Sequence, residues 1–143
     1  MRAIGVGYCL DERVWLSDFE YSVRVTIRQG TQAGIIFRAV GSRFYYFSID
    51  IAGHYYLDVV SPLMAVRTLV SGFNHVVVPE SGQTNLLDVM ARGNMLRLYV
   101  NGMQVGQVRD GSYTRGYVGI CMGNYYDMGG KRVVAADFWN GKV

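Results

Sequence analysis

Charge is scarce in this sequence: Asp, Glu, Lys and Arg together make up 17% of its 143 residues, against 50% apolar residues. A disordered chain needs the opposite balance. The net charge is only +3 and the lysines and arginines are scattered. The clustered basic stripe of a nucleic-acid-binding face is therefore missing. No apolar run approaches the roughly 18–20 residues of a membrane span, and Met1 to Leu10 lacks the apolar core of a signal peptide. Cysteine and proline are sparse as well, two of each. Cys9 and Cys121 lie far apart and admit either one disulfide or two separate buried thiols, which leaves the compartment open.

Catalytic patterns are also wanting. The acids, among them Asp18, Glu20, Asp50, Asp58, Glu80, Asp88, Asp110, Asp127 and Asp137, stand mostly singly and beside turns. None shows the paired spacing that glycoside hydrolysis needs. The two histidines, His54 and His75, sit in different segments with no Ser or Cys in a nucleophile context. Nothing has zinc-ligand spacing. Gly5-Val6-Gly7 and Gly129-Gly130 are not followed by the Gly-Lys-Ser/Thr of a phosphate loop. We expect no enzyme, no cofactor and no metal.

What the chain has in quantity is tyrosine and glycine, eleven and eighteen, the composition of many strands divided by tight turns. Phe19 to Arg28 alternates cleanly: Phe19, Tyr21, Val23, Val25 and Ile27 face one way, Glu20, Ser22, Arg24, Thr26 and Arg28 the other. That is a half-buried strand. Further strands are expected over 33–40, 44–50, 54–60, 64–71, 86–92, 95–100, 103–109, 116–123 and 132–139, and none is assigned before Phe19. No segment holds a helical period, and no linker or repeat divides the chain. The expectation is one all-β, two-sheet antiparallel sandwich over residues 1–143, cut from or appended to a larger protein.

Two hairpins can be registered. Asn101-Gly102 favours a two-residue turn with positive φ at both positions, pairing Val100 with Met103 and Leu98 with Val105. A three-residue loop at Ile51–Gly53 pairs Ile49 with Tyr55, Phe47 with Leu57 and Tyr45 with Val59. A similar loop at Gly41–Arg43 pairs Ala39 with Tyr45, Phe37 with Phe47 and Ile35 with Ile49. A two-residue loop there would turn Arg38 into the core and is rejected on burial cost. The far face of this meander then carries the rows Arg38–Tyr46–Asp58, Ile36–Ser48–Tyr56 and Gly34–Asp50–His54.

At this point a family likeness emerges. The runs Gly34-Ile35-Ile36-Phe37-Arg38-Ala39, Tyr45-Tyr46-Phe47-Ser48-Ile49, Asn85 to Gly93 and Leu96-Arg97-Leu98-Tyr99-Val100-Asn101-Gly102 resemble the concanavalin A-like, laminin G-like jelly rolls. The ending with Asp137-Phe138-Trp139-Asn140 resembles that family's last strand. The bacterial group named after 3-keto-disaccharide hydrolases is the branch most similar, and some of its members are non-catalytic modules. The likeness covers roughly residues 19–143 and rests on turn and core residues, so it speaks for fold more than function. It implies a jelly-roll sandwich, a lectin-like ligand face, and a setting leaning towards the extracellular or cell surface.

The expected function is carbohydrate recognition without catalysis. Sugar rings stack on aromatic side chains while their hydroxyls need planar hydrogen-bond partners. Arg38, Tyr46 and Asp58, extended by Ser48 and Tyr56, offer that mixture; a structural pairing of Arg38 with Asp58 is the competing reading. Tyr46→Ala is expected to weaken binding and spare the fold. Tyr125 and Tyr126, in the loop 123–130 with Asn124 and Asp127, form the second candidate. Asp127 alone is far short of a calcium cage. The alternative is protein recognition or self-assembly, through an aromatic patch of Phe44, Tyr46, Tyr56 and Val60 or through open sheet edges, giving a possible homo-oligomer. Nucleic acid and membrane insertion are not expected.

Overall fold

The computed structural model describes residues 7–62, 65–123 and 135–143. Its strands are β1 (Gly7–Leu16), β2 (Phe19–Gln29), β3 (Gln32–Val40), β4 (Arg43–Asp50), β5 (His54–Ser61), β6 (Ala65–Phe73), β7 (Thr84–Arg92), β8 (Met95–Val100), β9 (Met103–Arg109), β10 (Gly116–Met122) and β11 (Ala135–Lys142). They form two antiparallel sheets, one of six strands in the order β1-β10-β3-β4-β5-β6 and one of five in the order β11-β2-β7-β8-β9. No helix among the described residues is long and apolar enough to cross a membrane.

Alternation builds the core as expected. Phe19, Tyr21, Val23, Val25 and Ile27 of β2 meet Ile35, Phe37, Tyr45, Phe47, Ile49 and Leu57 from the six-stranded sheet. Opposite faces of one strand thus see different surroundings, the physical content of a period of two. The strand missing from the sequence reading is β1. Its Asp11-Glu12-Arg13 run breaks the alternation, and a bulge separates Asp11 from Trp15. Among the described strands β1 is outermost in its sheet, a place where a ladder tolerates both.

The Asn101-Gly102 turn forms with φ of 52° and 84°, and Val100 pairs with Met103. Beyond it the expected register slips: Leu98 faces Gly106, not Val105, across a bulge. Gly106 lies under Val70 and Tyr55, and the Tyr55 hydroxyl donates to the Val105 carbonyl at 2.7 Å. The bulge turns that carbonyl to its donor and leaves the small residue beneath the ring.

The β4–β5 pairing is as read from the sequence, whereas the β3–β4 pairing is two residues out. Ile35 pairs with Phe47 and Phe37 with Tyr45, and Val40 pairs with Arg43 across the two-residue turn Gly41-Ser42. The rejected short loop is the real one. A bulge keeps Arg38 out of register with Tyr45: Arg38 takes a left-handed φ of 49°, so it and Ala39 together face Phe44. Arg38 is buried all the same, at 1% exposure, and the Ser17 and Tyr113 carbonyls accept its hydrogen bonds. The same bulge interrupts the β10 ladder, between the pairs Tyr117↔Ala39 and Gly119↔Ile36. Here the chain comes so close to Gly116 that a Cβ on that glycine would overlap the Arg38–Ala39 backbone.

The cysteines are not joined. Cys9 is exposed and Cys121 buried, and Cys9 pairs with Ile120 while Tyr8 pairs with Cys121. One residue of offset in an antiparallel ladder sends the two side chains to opposite faces.

Candidate binding site on the outer face of the six-stranded sheet

Along β3 to β6 the outer face runs in rows, Ile36–Tyr46–Asp58–Thr68, then Gly34–Ser48–Tyr56–Ser71. A last row brings Gln32, Asp50, His54 and Phe73 to the end of the sheet. The first part of this face is apolar and covered. Ile36, Phe44, Tyr46, Val60 and Cys121 form a second hydrophobic cluster, with Tyr8, Leu10, Val66 and Tyr117 packed against it. Of the aromatic surface patch expected from Phe44, Tyr46, Tyr56 and Val60, Phe44, Tyr46 and Val60 are interior, each 0% exposed, and Tyr56 is half-buried.

The last row is different. Asp50 Oδ1 accepts hydrogen bonds from the backbone N–H of Ala52 at 3.0 Å and of His54 at 2.9 Å. Its Oδ2 accepts from the Tyr56 hydroxyl at 2.8 Å and lies 3.1 Å from His54 Nδ1. An aspartate at the end of a strand is suited to this, since its short carboxylate reaches N–H groups two residues on and closes the turn. Burial, then the acceptance of its hydrogen bond by Asp50, pushes the Tyr56 hydroxyl up to about 12, so it stays a donor at any physiological pH.

Gly53 adopts a φ of 97°, and a Cβ on it would stand 3.0 Å from the Phe73 ring. The ring therefore rests on the glycine backbone. It meets His54 nearly edge-on, centroids 5.5 Å apart at 72°, and remains 67% exposed. An exposed aromatic plate thus adjoins an imidazole, a phenol and an oriented carboxylate. That set can stack on an apolar ring face and exchange hydrogen bonds with its edge groups.

The residues singled out from the sequence are dispersed. Tyr56, half-buried, stands in the neighbouring row and reaches this one through its hydrogen bond to Asp50. Tyr46 and Ser48 are on the predicted face but 0% exposed. The Tyr46 hydroxyl donates to the Gly123 carbonyl at 2.9 Å, and Ser48 Oγ accepts from Gln32 Nε2 at 2.7 Å. Asp58 is buried and accepts from the Thr68 hydroxyl at 2.7 Å, and burial raises its carboxyl above the usual range. Arg38 is not beside Tyr46 or Asp58. Its Nε and Nη2 donate to the Ser17 carbonyl and its Nη1 to the Tyr113 carbonyl, at the end of the sandwich away from Asp50. The supposed Arg38–Asp58 pair does not form either. Tyr125, Tyr126 and Asp127 lie outside the described residues.

Phe73 was missed because Gly72 read as the end of its strand. The strand in fact continues to Phe73, and counting on in steps of two from the pair Tyr56↔Ser71 places it opposite His54. Among the described residues no group of three His, Cys, Asp or Glu side chains is arranged to hold a metal ion.

The outer face of the five-stranded sheet carries a feature the sequence reading also missed. Ser22 pairs with Asp88 and Glu20 with Met90, which sets Glu20 diagonally beside Asp88. Asp88 Oδ1 is buried with no hydrogen-bond partner among the described residues. Burial first, then Glu20, pushes the Asp88 carboxyl up to about 7. A linkage effect follows. Between the ordinary 3.8 and about 7 the folded chain holds a proton the unfolded chain has released, so this group adds stability as pH falls through that window and withdraws it as pH rises to about 7. Asp88→Asn is expected to flatten this part of the stability profile and to raise the melting temperature by a few degrees at pH 8. Thermal melts at pH 5 and 8 check it; an unchanged slope contradicts it.

The carbohydrate-binding module CBM66 from Bacillus subtilis matches with a TM-score of 0.80 and 18% identity, over 99% of this chain and 84% of its own. A congerin II double mutant matches at 0.68 and 7% identity, over 95% of this chain and 98% of its own. The β-glucanase of Bacillus licheniformis matches at 0.62 and 10% identity, over 90% of this chain and 66% of its own. At such identities the likeness defines the class by fold: this is a jelly-roll β-sandwich. No protein-family model matches the sequence, and no curated protein matches it, so the narrower likeness to the 3-keto-disaccharide hydrolase group has no sequence match behind it.

Proposed function

We propose that this chain is a non-catalytic carbohydrate-recognition module whose ligand lies on the end of the six-stranded sheet formed by β4, β5 and β6. Phe73 supplies the stacking plate, Asp50 and Tyr56 the oriented hydrogen-bonding pair, and His54 the wall between them. The observation that carries this reading is the Phe73 ring. It is seated on a glycine, edge-on to His54, and two-thirds exposed, which leaves an aromatic face free to stack beside oriented hydrogen-bonding groups. The structural likeness to CBM66 and to galectins such as sheep galectin-11 supports the choice of ligand class.

A glycan-array screen with wild type and Phe73→Ala tests it. Loss of the stacking surface should weaken the selected glycan roughly tenfold or more, since an aromatic anchor at a binding centre is worth about 1.5 kcal/mol or above. The melting temperature should stay within about 2 °C, because an exposed side chain adds little to the core. Glycan binding indifferent to Phe73→Ala would remove the site. A blank array would instead favour the protein-recognition reading, for which β1, β6, β9 and β11, the outermost strands among the described residues, are the surface to test.

A further inference from the structure

At the opposite end of the sandwich, the β3–β4 turn meets the connection between β9 and β10 around a cavity of about 260 Å³. It is lined by Arg38, Val40, Arg43, Ser112, Tyr113, Thr114 and Arg115, three of them arginines. In a chain with so few charges this concentration of one sign is local. Arg38 is 1% exposed, yet its three hydrogen bonds all go to neutral carbonyls, those of Ser17 and Tyr113. The carboxylate paired with it, Asp18, stands 3.7 Å away and is itself half in solvent, where water screens it. Arg43 and Arg115 are exposed at the rim, and no carboxylate lies within ion-pair distance of either among the described residues. Asp110, the other acid nearby, is committed elsewhere. It accepts from the Tyr45 hydroxyl at 2.6 Å and the Ser112 N–H at 2.9 Å, and pairs with Arg67 at 3.4 Å.

We propose that this cavity is a second ligand site, distinct from the Phe73 row, and that it binds the oxyanion group of a small molecule. The physical argument is charge balance. Three guanidiniums share one weak counter-charge, so the cavity holds an excess positive charge close to low-dielectric protein, where an anion gains more than it does in water. The exposed guanidiniums of Arg43 and Arg115 each present a planar fork matched to a carboxylate, sulfate or phosphate. Arg38 lies behind them, its nitrogens donating to the Ser17 and Tyr113 carbonyls, and contributes its charge to the cavity. Val40, 47% exposed, and the side of Tyr113 offer apolar contact to the carbon body of the ligand. The volume is just under the roughly 300 Å³ of small drug-ligand pockets, room for one acidic unit such as a sugar acid.

The test is a calorimetric and NMR titration of the whole chain at constant ionic strength with sodium glucuronate, sodium sulfate and sodium phosphate, and with neutral glucose as control. Arg38 holds the fold together, so the probing variant is the exposed pair Arg43→Gln with Arg115→Gln. The expected result is saturable binding of at least one anion and none of glucose at this site, with Tyr113 resonances shifting. The double variant should bind roughly tenfold or more weakly with an unchanged melting temperature. Glucuronate alone would place the ligand among sugar acids or other carboxylates; sulfate or phosphate binding as tightly would place it among sulfated or phosphorylated compounds. No saturable anion binding, or binding indifferent to the double replacement, overturns the proposal. Either result leaves the Phe73→Ala experiment untouched, so the two sites stand or fall separately.

Discussion

Tyr46→Ala is expected to destabilise the protein by about 3–5 kcal/mol, the cost of emptying a fully buried aromatic site. This reverses the expectation drawn from the sequence, in which Tyr46 faced solvent and its loss spared the fold. The ring is 0% exposed and sits in the cluster with Ile36, Phe44 and Val60. Truncation leaves a cavity there and strips the Gly123 carbonyl of its 2.9 Å donor. Tyr46→Phe keeps the ring and forfeits only the hydroxyl, about 1 kcal/mol. Urea denaturation of the two variants separates the contributions. A Tyr46→Ala protein as stable as wild type would mean the outer face of β3–β5 is open after all.

The second large effect belongs to Arg38. Replacement by alanine is expected to cost about 3–5 kcal/mol, the range for breaking a buried charged interaction. Two carbonyls, those of Ser17 and Tyr113, would lose their donors, and the tie between the β1–β2 turn and the β9–β10 connection would go with them. Arg38→Lys should recover less than half of the loss. A single ammonium cannot reproduce a planar fork that reaches two separate chain segments. Chemical denaturation with a constant m-value measures both. If Arg38→Lys matches wild type, the fork geometry is irrelevant and only the charge matters.

These two residues also show how far the sequence could be read. Which side chains of β2, β4 and β5 face the core followed from alternation alone, because a period of two leaves no other way to bury Phe19 to Ile27 or Tyr45 to Ile49. The β4–β5 register followed from its loop length. The β3–β4 register did not, because the argument assumed unbroken strands. With that assumption a two-residue Gly41-Ser42 turn put Arg38 in the core, and the longer loop looked better. In the structure Arg38 is buried, its guanidinium satisfied by the Ser17 and Tyr113 carbonyls, and a left-handed residue breaks the strand there; arginine gives no signal of that break, whereas glycine would have.

The candidate site was half legible. Asp50, His54 and Tyr56 were placed on the far face by their spacing, yet weight went to the central row, where an arginine, a tyrosine and an acid lined up only through the misplaced β3. Burial of that row could not be read locally, since a sheet face with Tyr46 and Ser48 looks the same whether water or protein covers it. Phe73 lay beyond a glycine taken for a strand end. The Glu20–Asp88 contact joins residues 68 apart in the chain and needs the β2–β7 register to be seen.

Ligand binding beside Phe73 on the outer face of the six-stranded sheet, as proposed, is tested most directly by a backbone and side-chain NMR titration of the chain with the glycan selected by the array. Saturable shifts confined to Asp50, His54, Tyr56, Ser71 and Phe73 are expected. Shifts centred instead on the five-stranded sheet, with the Phe73 row silent, would contradict it.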